Sequence, residues 1–186
     1  MQARPMEIEV RVECAATTEE ALALIASHFS ADTVTFHRLG GDGLLHLAAA
    51  TDGLPPAVLD VIGTIPVGKG MAGLAVERGQ PVDACNIQTD VSGDVRPGAR
   101  STGLAGAVVV PVFRGRTVIG ALGIGNRSER IFSEREVDEL MRAGGAFAAR
   151  SDAAESSRAE IVNMQRQREE GSRRPNQPVR GGDGDS

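Results

Sequence analysis

The stretch from Ala105 to Gly125, AGAVVVPVFRGRTVIGALGIG, constrains the fold more than any other part of the chain. Ala105 to Phe113 is almost wholly apolar and β-branched, the pattern of a strand buried on both faces. Arg114, Gly115 and Arg116 supply turn chemistry, and Thr117 to Ile124 returns as a second strand, with Gly120 and Gly123 marking places where a helix or a ligand lies close to the backbone. A hairpin is antiparallel, and that decides how the glycines upstream are read. Gly68, Gly70 and Gly73 match GxGxxG, but a dinucleotide fold needs that motif inside a parallel βαβ unit. Gly63 to Gly70 matches GxxxxGK, yet Gly70 stands where a hydroxyl must hold Mg²⁺, and Pro66 removes a backbone donor. The better reading makes Gly68 and Gly70 a strand-to-helix turn, with Gly73 letting the helix lie close to the sheet.

The other elements follow from periodicity and breakers. Met6 to Glu13 alternates weakly and reads as an edge strand or lead-in. Thr17 or Thr18 caps a helix with Glu19 and Glu20 in its first turn, ending near Ser30. Thr33 to Leu39 and Leu44 to Thr51 form a hairpin across Gly40–Gly43. A short helix spans Ala57 to Ile62 after two prolines, and another spans Gly70 to Arg78 with Gly79 ending it. Pro81 to Ile87 is a short strand. Gln88 to Gly103 is a polar loop, long enough that a functional role is expected. Ser133 and Glu136 form a capping box for a last helix running from Glu134 to about Glu170. At ~1.5 Å per residue that helix exceeds one domain, so its distal half is expected to project or pair. Residues 1–15 are a lead-in, 16–150 a domain, 151–170 a helical extension, and 171–186 a tail expected to be disordered.

Composition removes several function classes. The chain has 186 residues, no Trp or Tyr, five Phe and a formal net charge of −5. Base stacking is poorly supplied and the charge opposes phosphate backbones, so no nucleic-acid partner is expected. No apolar run approaches the roughly 20 residues of a membrane span, and the N-terminus lacks an apolar secretory core. Two cysteines without metal spacing fit a reducing cytoplasm, and no metal or cofactor is expected.

Candidate site residues come mainly from the long loop. Asp94, Arg96, Arg100, Ser101 and Thr102 could close as a lid over a polar ligand, with arginine as its anion fork; a merely solvated loop is the alternative. Of the three histidines, His46 lies among leucines and could face a pocket. Cys85 is either a small buried hydrophobe, a pocket-lining group or a redox-sensing thiol.

From about Thr17 to Arg150 the ordered series TVTFHRL, IPVGKGMAGLAVERGQPV, DACNI, AVVVPVFRGRTVIGALGIGN and FSEREVDELMRAGGAFAA resembles the GAF family of sensor domains. The resemblance implies an α+β fold in α/β/α layers: a six-stranded antiparallel sheet, helices on both faces, and a long C-terminal helix. It also implies a ligand pocket on one face and terminal helices that often form a dimer bundle on the other. Asn126, Arg127, Phe132 and Glu136 resemble a motif of cyclic-nucleotide phosphodiesterase GAF domains that supports the fold; Arg127 and Glu136 keep its opposite charges, and Val137 breaks it. One branch of the family reduces free methionine sulfoxide with cysteines. Ala72 stands where that branch carries a thiol, so this activity is rejected. The expectation is therefore a non-catalytic sensor with an unidentified small-molecule ligand, a homodimer seam of Leu22, Ile25, Val137, Leu140, Met141, Gly144, Phe147 and Ala148, and an outlet to a partner protein. Its rivals are a ligand-free interaction module and a thiol enzyme using Cys85.

Overall fold

The computed structural model describes residues 7–52 and 54–172. Its centre is one six-stranded sheet in the order β3-β2-β1-β6-β5-β4, antiparallel at every pairing. The strands are β1 (Thr33–Leu39), β2 (Leu44–Ala50), β3 (Thr64–Pro66), β4 (Val82–Ala84), β5 (Ala107–Arg114) and β6 (Thr117–Gly125). The β5–β6 hairpin sits inside the sheet, and β5 is buried on both faces over most of its length.

Among the described residues the α-helices are α1 (Ile8–Glu13), α2 (Thr18–Phe29), α3 (Pro56–Ile62), α4 (Gly70–Arg78) and α5 (Glu134–Ser172); α1 to α4 and the part of α5 up to Ser151 belong to the same unit as the sheet. The Met6–Glu13 expectation needs correction, because Ile8 to Glu13 is helical. Helical geometry puts Ile8 and Val12 on one face at i, i+4, where both are buried, while Val10 between them stays 40% exposed. The sixth strand is instead Thr64–Pro66, which pairs with β2.

Two packing layers result. On one face Val34, Phe36, Val110 and Leu122 meet Ile8 and Val12 of α1, Leu22 and Ile25 of α2, and Leu140 and Phe147 of α5. The expected dimer seam therefore needs correction. Leu22, Ile25, Leu140, Phe147 and Ala148 are buried inside the chain's own core, and Val137 and Met141 pack against it. Gly144 lies against the sheet, where a Cβ would stand 3.1 Å from Val112. The apolar stripe of α5 is used within the protomer, as an amphipathic surface helix normally is. On the opposite face α4 packs Met71 and Ala75 on Val82, Ala84 and Ala107, and Ala72 and Val76 on Leu45 and Ala121.

The chain divides into two units, Met1–Ser151 and Asp152–Ser186. The second is helical to Ser172. The expected tail lies, from residue 173 onward, outside the described residues.

Local chemistry accounts for the helix ends. Thr17 accepts from the Glu20 amide at 3.1 Å, and Glu20 accepts from the Ala16 amide at 2.7 Å. Ser30 ends α2 in the left-handed region. At the start of α5, Glu136 accepts from the Ser133 amide at 2.9 Å and from its hydroxyl at 2.7 Å. Its cationic partner is Arg130 at 2.6 Å, rather than Arg127. Arg130 also donates to Asn126 Oδ1 and the Phe29 carbonyl, and lies over the Phe132 ring at 4.7 Å. This cluster ties the end of β6 to α2 and α5.

The Ser133 backbone amide first, then the Ser133 hydroxyl and the Arg130 guanidinium, lower the Glu136 carboxyl from 4.5 to about 2. A depressed carboxyl contributes stability that is fully present above 4.5 and lost as pH falls toward 2. The side chain is 32% exposed, so solvent screening leaves about 1–2 kcal/mol of the nominal effect. Glu136→Gln should lower urea-unfolding stability by that amount at pH 7, and the difference from wild type should shrink as the pH falls from 4.5 toward 2.

Candidate functional site

The α4 side of the sheet does not pack solid. Along β1, Thr33, Thr35 and His37 point to this side while Val34 and Phe36 point to the core. On β6, Gly123 and Gly125 present no side chain, and on β5 the side chains are only Ala107 and Val109. Small residues on a sheet face leave room above it. Here the space is a cavity of about 470 Å³, walled by α3, by the first turn of α4, and by the segment leading into β5. That volume suits a small-molecule site.

The cover over the cavity has internal structure. Pro97–Thr102 forms a 3₁₀ helix within the Gln88–Gly103 segment. Gly98 lies close enough to α3 that a Cβ there would stand 3.1 Å from Val61. Gln88 Nε2 donates to the Leu104 carbonyl at 2.6 Å and to the Arg100 carbonyl at 3.2 Å. Arg78 holds Asp94 through two bonds of 3.0 Å, and that guanidinium keeps the Asp94 carboxyl below its usual range.

The expected site residues fall into two groups. Arg96 and Thr102 line the cavity. His46, Cys85, Asp94, Arg100 and Ser101 do not. His46 is exposed and bonds Asp42 at 2.9 Å. Cys85 is exposed, so the reading of it as a buried hydrophobe or a pocket-lining group is corrected. Arg100 and Ser101 hold the cover together through the Asp90 and Gly98 carbonyls.

The histidine at the cavity is His37, which the sequence reading passes over. It is only 4% exposed, and its Nε2 donates to the Ile62 carbonyl at 2.8 Å. That bond fixes the tautomer and leaves Nδ1 an acceptor with no partner among the described residues. Burial pushes the His37 pKa below 6.5, against the opposing effect of the Ile62 carbonyl. Burial therefore favours the neutral ring. Its contribution to stability is complete above 6.5 and falls as the pH drops below that value, because the unfolded chain then takes up the proton first.

Among the described residues, Arg96 is the one charged member of the lining. Its guanidinium has no hydrogen-bond or ion-pair partner among the described residues, and its stem lies over Gly70, where a Cβ would stand 3.0 Å from Arg96 Cδ. A second cleft, among α1, α2 and α5, contains three paired contacts: His28 with Glu139 at 3.0 Å, Arg135 with Glu139 at 2.9 Å, and Arg142 with Glu9 at 3.0 Å. Among the described residues no group of His, Cys, Asp and Glu is arranged to hold a metal ion, and no helix is long and apolar enough to cross a membrane.

A family model of the GAF domain matches residues 14–149. No curated protein matches the chain. Among solved structures, it is similar to the GAF domain of an Acinetobacter phosphoenolpyruvate-protein phosphotransferase, with 20% identity, 80% of this chain and 90% of that one covered, and a TM-score of 0.62. The corresponding domain from Coxiella burnetii gives 23% identity, coverage of 82% and 92%, and a TM-score of 0.63. A free methionine-R-sulfoxide reductase from Neisseria meningitidis, solved with its substrate, gives 21%, coverage of 81% and 87%, and 0.63. Likeness at this level of identity concerns the fold.

Proposed function

The chain belongs to the GAF domain family, and from that membership we propose that it is a non-catalytic sensor or regulatory module that binds a small molecule between its sheet and the Gln88–Gly103 cover. The observation that carries this reading is the cavity of about 470 Å³, floored by small residues and roofed by a braced segment. Neither cysteine lines it, and Ala72 stands in its wall. With no thiolate at hand, the reading excludes a sulfoxide reductase.

Binding would transmit by favouring one arrangement of the cover and of the helices packed against the sheet, which requires unequal affinity for two states. Because the inward faces of α2 and α5 are occupied by the core, self-association or a partner protein would use their outer faces. A cytoplasmic setting belongs to the same proposal.

Native mass spectrometry of freshly purified protein, with thermal shifts across a metabolite panel, tests it. A ligand at a hundred times its Kd should add about 2.7 kcal/mol to stability. Val109→Trp, which fills the cavity from its floor, should abolish the shift while far-UV circular dichroism is retained. A bare mass spectrum together with no shift from any compound would leave an interaction module with an empty pocket.

A further inference from the structure

The lining specifies a ligand class, an inference that rests on the sensor reading above. Most of the wall is aliphatic, with Val58, Ile62, Ile65, Met71, Leu104 and Val109 among its members. None of the chain's five phenylalanines lines it, and the chain has no Trp or Tyr. The one ring in the lining is the His37 imidazole, already bonded to the Ile62 carbonyl, so a planar base, flavin or tetrapyrrole would find no phenyl, phenol or indole face to stack on, and a quaternary ammonium would find no aromatic cage. The wall suits an aliphatic ligand body better than a planar one.

The charge in the lining has one sign. Among the described residues Arg96 is its one ionic group, and Asp94, two residues away, is already held by Arg78. An anionic head beside Arg96 meets no lining carboxylate, whereas a cationic head would face Arg96 without compensation. The stem of Arg96 crosses Gly70, the first residue of α4, and the α4 cap, Lys69, makes no side-chain capping bond. Gly70, Met71 and Ala72 of that first turn line the cavity, and the positive end of the helix dipole there favours an anion. Independently, His37 offers the free Nδ1 acceptor of a side chain that is 4% exposed, which a hydroxyl on the ligand chain would satisfy.

We propose that the cavity takes an aliphatic monocarboxylate, its chain among the valine, isoleucine and leucine side chains and its carboxylate at Arg96 and the first turn of α4. At the ~30 Å³ that a water-sized group occupies in a liquid, the space admits about fifteen non-hydrogen atoms. Acids of about eight to ten carbons fit it with room for a hydroxyl.

Isothermal titration of the full chain with octanoate, 3-hydroxyoctanoate, octylammonium and adenosine tests the proposal. The two acids should bind saturably, and octylammonium and adenosine should not. Arg96→Gln, at an exposed position where folding is not at stake, should weaken the acids about tenfold, as expected for losing a bond to a charged group. Val109→Trp should remove their binding. Binding of octylammonium or adenosine as tight as that of the acids overturns the proposal, as does acid binding indifferent to Arg96→Gln. Failure of both acids also overturns it. In that case a copurified molecule in the native mass spectrum keeps the sensor reading with a different ligand class, and a bare spectrum with a silent panel removes both.

Discussion

Phe147→Ala should cost about 3–5 kcal/mol of folding stability, the range for truncating a fully buried aromatic. Phe147 sits on α5, is 1% exposed, and packs on Phe36 of β1 with ring centroids 5.0 Å apart. Leu22, Ile25 and Leu140 belong to the same cluster. Removing the ring deletes its transfer energy and leaves a cavity between sheet and helix that neighbours on rigid elements fill only in part. A seam residue behaves differently. Its truncation would weaken a dimer and make the unfolding midpoint depend on protein concentration, while leaving the protomer's own stability nearly intact. Urea unfolding at two protein concentrations a hundredfold apart separates the cases. The expected result is a large drop in midpoint that is equal at both concentrations. A small drop, or one that appears only in dilute protein, would return α5 to the role of an interface helix.

This same helix shows where the sequence is informative and where it is not. An apolar stripe at 3.6-residue spacing says that a helix buries one face; it does not say against what. Val137, Leu140, Met141 and Phe147 form such a stripe, and the chain's own sheet covers it. The strands read more plainly, because alternation and turn residues are local. Thr33–Leu39 and Gly70–Arg78 have the bounds expected from the sequence. Ile8–Glu13 misleads because Ile8, Val10 and Val12 alternate like a strand, although two of the three also satisfy i, i+4 spacing. Thr64–Pro66 is too short to show a period, and it is a strand only because β2 pairs with it.

Only a small part of the candidate cavity was legible in the sequence. The polar loop after Ile87 does roof a cavity, and Arg96 and Thr102 do line it. The floor was present in the sequence as well, in the alternation of Thr33, Thr35 and His37 with Val34 and Phe36. Polar residues on one side of a central strand that helices also cover point to a lined space. His46 drew attention by its leucine neighbours, but sequence neighbours on a strand lie on the opposite face from the side chain they flank. His37, set by a register shift after Phe36 and bonded to the Ile62 carbonyl, depends on α3 for its role. No local pattern carries that information.

Gly73→Ala should destabilise the fold by about 2–3 kcal/mol, although the same change inside an ordinary helix stabilises by about 1 kcal/mol. Gly73 lies within α4, and a Cβ there would collide with the Pro66 carbonyl oxygen and stand 3.2 Å from the Gly68 nitrogen. Both obstacles are backbone, so no side chain can swing aside. The Gly68 amide donates to the Gly73 carbonyl at 2.9 Å, which binds the turn to the helix at the point of closest approach. Relief therefore requires α4 to lift from β3. Met71 and Ala72 are part of the cavity wall, so ligand affinity should fall together with stability. Gly145→Ala supplies the control. That residue is also helical, in α5, but nothing stands within 4 Å of its would-be Cβ, and it should gain up to about 1 kcal/mol. Thermal midpoints of the two variants should move in opposite directions. Should both rise together, the close contact between α4 and β3 that shapes the cavity mouth is not part of the folded protein in solution.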